Sequence, residues 1–281
     1  MNYKNIIVIG AGKISRLCLS SLLREERRKL FIKLTYIEYG NHFIGSMEEY
    51  CKKENIFYFR FQSKKLLKEY FLYENDETLV ISAANYFIFP ENIVSKSNFL
   101  IINYHDALLP SYPGRNAVTW AIFNNEKETG ITWHKVNADI DTGDIIAQEK
   151  ILLTEDMKAY ELLQKSFNSA FCCFNNFIDN LLINNIKMIK QVFPENRRIY
   201  LSTDIPNDGK INLDMLGIDV YRLLRSIDYS GLKIFPSVRF TLNNEEKTII
   251  KYSKVLNNIK CIENGILLKL NDEYNLLLIY E

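Results

Sequence analysis

The sequence predicts an α/β protein: a Rossmann-like, mostly parallel sheet with helices on both faces, followed by a small β-rich C-terminal domain. Three observations predict it. Short β-branched and apolar runs alternate with segments of helical periodicity through the first half of the chain. The strand at 5–9 ends at Gly10 and runs into a helix over 14–23, the strand–turn–helix unit from which such sheets are built. Beyond a stretch punctuated by Pro194, Pro206, Asp208 and Gly209, the pattern changes to strands joined by Asn-, Glu- and Gly-containing turns. The expected division is therefore a larger domain over 1–200 and a small domain over 201–281, one helix and then strands.

The remaining elements follow from the same two periodicities. Strands are expected at 33–37, 57–59, 78–82, 99–103, 130–136 and 145–151, each an apolar or alternating run. Helices are expected at 46–53, 66–70 and 117–123, and a long amphipathic one at 160–182. In the second domain a helix at 219–227 precedes strands at 235–242, 248–255, 265–270 and 275–280. There is no internal repeat.

Composition narrows the function classes. With 281 residues the chain can bury a core without disulfide staples. Its 35 basic and 34 acidic residues leave a net charge of +1, which argues against a dedicated nucleic-acid binder. The cysteines (Cys18, Cys51, Cys172, Cys173, Cys261) show no C-x-x-C spacing and no zinc-ligand spacing, so no metal is expected and they read as free thiols of a reducing cytoplasm. Met1-Asn2-Tyr3-Lys4 leads into a strand without an apolar leader, and no stretch approaches the ~20 apolar residues of a membrane span. The expectation is a cytoplasmic protein with no membrane partner. Strand edges in a small β domain are usually covered, so a homodimer is expected.

Gly10-Ala11-Gly12-Lys13-Ile14-Ser15 has the setting of a dinucleotide fingerprint. Ser15 stands in place of the third glycine, and the following acidic residue, Glu38, comes late. The glycines read as a tight turn at the head of the sheet.

Asn103, His105 and Asp141 carry the sharper chemistry. Asn103 and His105 are two apart and can project together from an extended strand end, where α/β sheets keep their functional groups. Asp141 lies in a later turn that a returning strand can bring close. An amide N–H can donate to an oxyanion, an imidazole can carry a proton near neutral pH, and a carboxylate can orient the imidazole. Spacing alone leaves these residues open to service as turn formers or caps. Other candidates are similarly two-sided. Arg115 can contact a phosphate or carboxylate, or cap a loop. Trp120 suits either core or substrate, and His134 either a structural contact or the acceptor. His42 has no partner in view.

Longer motifs surround these residues. Ile102-Asn103-Tyr104-His105-Asp106-Ala107-Leu108-Leu109-Pro110 resembles the N-x-H-x-S-L-L-P loop of the folate-dependent formyltransferases. Thr129-Gly130-Ile131-Thr132-Trp133-His134 and Ile140-Asp141-Thr142-Gly143-Asp144 resemble that family's next two motifs, in order and at matching separation. The resemblance is close over 99–150 and extends in outline over 1–200, which makes the larger domain the catalytic one. It implies an enzyme with Asn103, His105 and Asp141 as catalytic residues and N10-formyltetrahydrofolate as formyl donor, without a metal. It implies that backbone groups of 84–90 and 138–141 hold the pterin, so that Ala84, Tyr86, Phe87, Phe89, Leu109, Ala138, Asp139 and Ile140 become candidate folate contacts. Arg115, Trp120 and His134 become candidate substrate contacts. The acceptor it favours is a small-molecule amine, that of a nucleotide-linked amino sugar such as a dTDP-amino-dideoxyhexose. Formylation of a carrier-bound aminoacyl group or of Met-tRNA, and hydrolysis of the donor, are the alternatives. Ala107 departs from the family serine, so a hydroxyl contact there is missing. The Gly10 turn lacks the phosphate loop of glycinamide ribonucleotide transformylases.

Overall fold

The computed structural model describes residues 3–40, 47–257, 259 and 262–281. His42, Cys261 and the expected start of a helix at Ser46 lie outside the described residues. The chain clusters into two compact units, the first made of 1–114, 130–151 and 165–199, the second of 115–129, 152–164 and 200–281. The second unit is thus assembled from three stretches of chain.

The first unit is built on seven strands: β1 (Asn5–Gly10), β2 (Lys33–Tyr39), β3 (Phe57–Phe61), β4 (Thr78–Ala83), β5 (Phe99–His105), β6 (Glu128–Lys135) and β7 (Ile145–Leu152). Their order in the sheet is β3-β2-β1-β4-β5-β6-β7. The pairs from β3 to β5 are parallel and β6 runs antiparallel to β5. The chain connections reverse direction between β1 and β4, the topological switch point beside which such sheets place their sites. Helices α1 (Gly12–Leu22), α2 (Glu25–Arg28), α3 (Glu48–Lys53), α4 (Lys64–Tyr73) and α5 (Glu91–Val94) follow their strands.

Both faces of the sheet are covered, as the long apolar strands require. On one face Ile7, Ile9, Ile37, Val80 and Ile101 pack with Leu67 and Phe71 of α4, Ile93 of α5, and Phe87, Phe89 and Phe99. The rings of Phe71, Phe87 and Phe89 meet at 5.2–5.9 Å. On the other face lies α7 (Ala159–Leu182), whose residues from 165 onward belong to this unit. Trp133 of β6, fully buried, donates its indole N–H to the Ala170 carbonyl and packs on Phe174 and Phe177.

Two differences from the expected elements have physical causes. The strand expected to stop at Asn103 continues to His105, because β6 pairs with it there, His105 opposite Thr132. The short helices α2 and α5 were too brief to show a periodicity. In α2, Arg27 is buried and holds Asp179 of α7 with Nε and Nη2, a bidentate pairing.

The second unit holds α6 (Ala117–Phe123), α8 (Gly217–Ser226) and an antiparallel sheet of β8 (Arg239–Leu242), β9 (Glu245–Leu256), β10 (Gly265–Lys269) and β11 (Tyr274–Tyr280), ordered β10-β11-β9-β8. β8 begins later than the expected 235, beyond Pro236, which has no N–H to give a ladder. Val220, Leu223 and Leu224 of α8 pack on Phe240, Leu276 and Leu278. Lys158 and Tyr252 both hold Asp228, at 2.8 and 2.6 Å.

Among the described residues no helix is long and apolar enough to cross a membrane, and no His/Cys/Asp/Glu group is placed to hold a metal ion. Cys18, Cys51 and Cys173 are buried free thiols and Cys172 is an exposed one. Burial pushes the Cys51 and Cys173 thiols up to about 11.

The Gly10 turn is accounted for by the fold. Gly10 is in register with Ala83 of β4, and a Cβ on it would meet the Ala83 carbonyl oxygen at 1.8 Å. Gly12 adopts a φ of +76°. The glycines let β1 close against β4. Gly10→Ala should lower unfolding free energy by about 2–3 kcal/mol in urea titration, a cost of overpacking a close backbone approach.

Candidate active site

A row of polar side chains crosses three neighbouring strands of the first unit. Strand register puts Ser82 of β4 opposite Asn103 of β5, and Asn103 opposite His134 of β6. Side chains at matched positions share a face. This is the face that carries Ile101 and the aromatic cluster, so the apolar core gives way to polar groups at the β5 end.

The row is hydrogen-bonded throughout. Ser82 Oγ donates to Asn103 Oδ1 at 2.7 Å. Asn103 Nδ2 lies 3.2 Å from His134 Nε2. His134 is 2% exposed, and its Nδ1 donates to the Lys135 carbonyl at 2.8 Å. Its Nε2 also faces Asp141 Oδ1 at 3.5 Å. With one ring proton His134 accepts from Asn103; with a second it donates to Asp141.

His105 and Asp141 complete the cluster. His105 Nδ1 is 3.6 Å from Asp141 Oδ2, and its Nε2 meets the Tyr112 carbonyl at 2.8 Å. Asp141 has left-handed backbone (φ +53°) in the turn between β6 and β7, a conformation asparagine and aspartate tolerate best. The turn is tightly held. The Gly114 N–H donates to Asp141 Oδ2 at 2.7 Å, and Gln191 Nε2 donates to the Asp141 and Gly143 carbonyls at 3.0 and 2.7 Å. Gly143 lies so close to Lys135 that a Cβ would meet its carbonyl oxygen at 1.7 Å. Tyr112 and Ala84 are also left-handed, at +54° and +56°. Such backbone clusters at functional sites, where the surrounding structure holds it.

The loop after β5 is pinned from below. Thr132 Oγ1 accepts from the Leu109 N–H and donates to the Ala107 carbonyl, and Gln148 Nε2 reaches both Leu109 O and Thr132 Oγ1. Ala107, where the resembling family has serine, is fully buried, and Leu109 is buried beside it.

The other sequence candidates fall in distinct places. Phe87 and Phe89 bury their side chains in the aromatic core, so only their backbone faces outward chemistry. Tyr86 and Ile88 are exposed to 53% and 59%, Ile140 to 37%, with Ala138 and Asp139 exposed beside it. Apolar surface of this kind suits a flat fused ring, and the loops bearing it flank the Ser82 and Asp141 ends of the cluster in sequence. Arg115 and Trp120 belong to the second unit. The Arg115 N–H donates to the Tyr200 carbonyl at 2.8 Å, and the Trp120 ring lies 4.6 Å from that of Tyr200.

Ser82, Asn85 and Gln191 were not singled out from sequence. Ser82 had a signal: it is a lone hydroxyl near the end of the apolar strand Leu79-Val80-Ile81. Gln191 had none, since its partners are backbone carbonyls of a distant turn.

Burial pushes the Asp141 carboxyl upward, but His105 beside it, then His134, then the Gly114 N–H outweigh this and hold it well below the usual carboxylate range. A depressed folded-state value contributes stability above the unfolded carboxylate value, about 3.9, and the contribution is lost as pH falls through the folded value. Asp141→Asn should therefore cost about 1–3 kcal/mol in urea titration at pH 7, with the gap to wild type steady down to about pH 4 and narrowing below it.

Residues 46–170 match the formyl transferase family. The chain is 25% identical over 256 residues to a methionyl-tRNA formyltransferase of Malacoplasma penetrans, covering 88% of this chain and 77% of that protein. It is 30% identical over 205 residues to the methionyl-tRNA formyltransferase of Caldanaerobacter subterraneus subsp. tengcongensis, covering 71% of this chain and 62% of that one. Of several curated relatives it spans only about three-fifths of the length. In fold it is similar to the N-formyltransferase of Helicobacter canadensis in complex with folinic acid and dTDP-3-aminofucose, with a TM-score of 0.74 and 20% identity over 99% of this chain and 100% of the other. Over residues 46–170 the chain carries a formyl transferase domain, and it is similar in sequence to methionyl-tRNA formyltransferases and in fold to an N-formyltransferase.

Proposed function

We propose that the protein is an N-formyltransferase that moves a formyl group from N10-formyltetrahydrofolate to the primary amine of a nucleotide-linked amino sugar. The observation that carries this reading is the Asn103–His105–Asp141 cluster, an oxyanion donor beside a carboxylate-facing imidazole at the carboxyl end of β5. The sugar-nucleotide acceptor is supported by the likeness in fold to the Helicobacter canadensis enzyme along the length of both chains, and by a net charge of +1. The match in sequence to methionyl-tRNA formyltransferases favours an aminoacyl acceptor as the second reading.

The donor supplies an activated formyl carbon and, in N10, a leaving nitrogen. The exposed apolar side chains of Tyr86, Ile88 and Ile140, with the backbone of the two loops that bear them, would hold its ring system. The amine nitrogen bonds to the formyl carbon as the bond from that carbon to N10 breaks, and one amine proton ends on N10. Asn103 donates an Nδ2 proton to the formyl oxygen as negative charge develops there. His105, with Asp141 facing Nδ1, exchanges the Tyr112 carbonyl at Nε2 for the reacting nitrogens and carries the proton between them. Asp141 stays ionised throughout, holding the ring in orientation and offsetting the charge it gains.

The test is a panel of acceptors offered with N10-formyltetrahydrofolate and read by mass: dTDP-3-aminofucose and related amino-sugar nucleotides, aminoacyl carriers, and charged initiator tRNA. Formyl addition to the sugar amine is the expected result. Formyl on methionyl-tRNA alone supports the second reading, and formate alone makes the protein a hydrolase. Asn103→Ala and His105→Ala should each lower turnover at least about 10²-fold, with folding unchanged by circular dichroism. Near wild-type turnover in either contradicts the assignment.

A further inference from the structure

Asn103 can serve an oxyanion only if its amide presents nitrogen, not oxygen, to the reacting group. An asparagine side chain is nearly symmetric in shape, so something must fix which end points where. The structure contains a chain of hydrogen bonds that does so, and it starts from a group that cannot reverse. The Phe87 backbone N–H can only donate, and it donates to Asn85 Oδ1 at 3.0 Å. That turns Asn85 Nδ2 toward the Phe87 carbonyl, at 3.0 Å, and toward Ser82 Oγ, at 3.3 Å. Ser82 Oγ accepts from Asn85 and so directs its own proton to Asn103 Oδ1, at 2.7 Å. With its oxygen engaged, Asn103 presents Nδ2, one proton of which is directed at His134 Nε2, 3.2 Å away. The far end is consistent: the Lys135 carbonyl only accepts, so His134 carries a proton on Nδ1 and keeps Nε2 as the acceptor in its neutral form.

We infer that Ser82 is a positioning residue that fixes the orientation of the Asn103 amide, and that Asn85 acts through it. The inference deepens the formyl-transfer reading and rests on it for its catalytic consequence. Ser82 is 2% exposed, so its hydroxyl is shielded from competing water. It occupies the row position next to Asn103 because β4 and β5 are in parallel register there. Removing the hydroxyl leaves Asn103 Oδ1 without its donor, and the amide can then turn its oxygen toward the developing negative charge.

Two measurements test this, one of them independent of turnover. In the ligand-free protein labelled with 15N-asparagine, the Asn103 side-chain pair is identified by its loss in Asn103→Ala. Its two proton shifts should be well separated in wild type and in Ser82→Thr. They should collapse toward those of solvent-exposed asparagines in Ser82→Ala and in Asn85→Asp, which is isosteric but presents an acceptor to Ser82. With N10-formyltetrahydrofolate and dTDP-3-aminofucose, Ser82→Ala and Asn85→Asp should lower kcat about ten-fold, the worth of one oriented hydrogen bond, with both KM values within about two-fold and Ser82→Thr restoring the rate. In an Asn103→Ala background Ser82→Ala should cause no further loss. Unchanged Asn103 shifts in both variants, or an equal loss from Ser82→Ala with and without Asn103, overturns the inference. Absence of turnover on dTDP-3-aminofucose in wild type counts against the proposed acceptor, and the Asn103 signals still decide the role of Ser82.

Discussion

Strand register at the ends of β4, β5 and β6 is the constraint on which the site depends. Ser82, Asn103 and His134 are neighbours only because β5 lies parallel to β4 and antiparallel to β6 in this alignment. A slip of one residue in either pair would send every side chain of the slipped strand to the opposite face. Tyr104 and Trp133 would then enter the site and Asn103 and His134 the core. The large apolar side chains prevent that. Ile101 is committed to the aromatic cluster on one face, and Trp133, packed on Phe174 and Phe177, to the other. Core packing therefore holds the polar row in place.

The turn that carries Asp141 is a second condition, met by different means. No strand ladder passes through it, so side chains and close backbone approaches shape it. Gly114, Gln191 and the lack of a Cβ at Gly143 bring the carboxylate to His105 and His134. The carboxylate lies largely buried, and its two histidine neighbours keep it ionised. A charge held in this way keeps its orienting effect across the pH range in which an imidazole moves protons. The left-handed residues at positions 84, 112 and 141 all lie in loops at this end of the sheet. The strand ends here are regular, and the left-handed backbone near them falls in the loops that follow.

Much of this was legible in the sequence, and the limits are instructive. Alternation of apolar runs with helical periodicity revealed the sheet, because both faces of its strands are buried and each helix shows one apolar side. Asn103 and His105 stood out by their spacing of two and Asp141 by its motif. The α2 and α5 helices were missed because four residues cannot display a period of 3.6. His134 was legible as a polar residue on a strand, but its use of both ring nitrogens on protein groups depends on the partner strand. Ser82 was legible in the same limited way, as a hydroxyl near the end of an apolar strand, and neither its role nor that of Asn85 could be read. Their importance lies in which residue stands opposite Asn103, and strand order in a sheet is a property of the folded chain.

A crystal structure with a hydrolysis-resistant N10-formyl folate analogue tests the central claim, that an amide of fixed orientation at the β5 end meets the formyl oxygen. The account predicts that oxygen at about 2.7–3.2 Å from Asn103 Nδ2, with Asn103 Oδ1 still bonded to Ser82. A formyl group seated away from Asn103, or an Asn103 amide turned with its oxygen toward the formyl group, would contradict it.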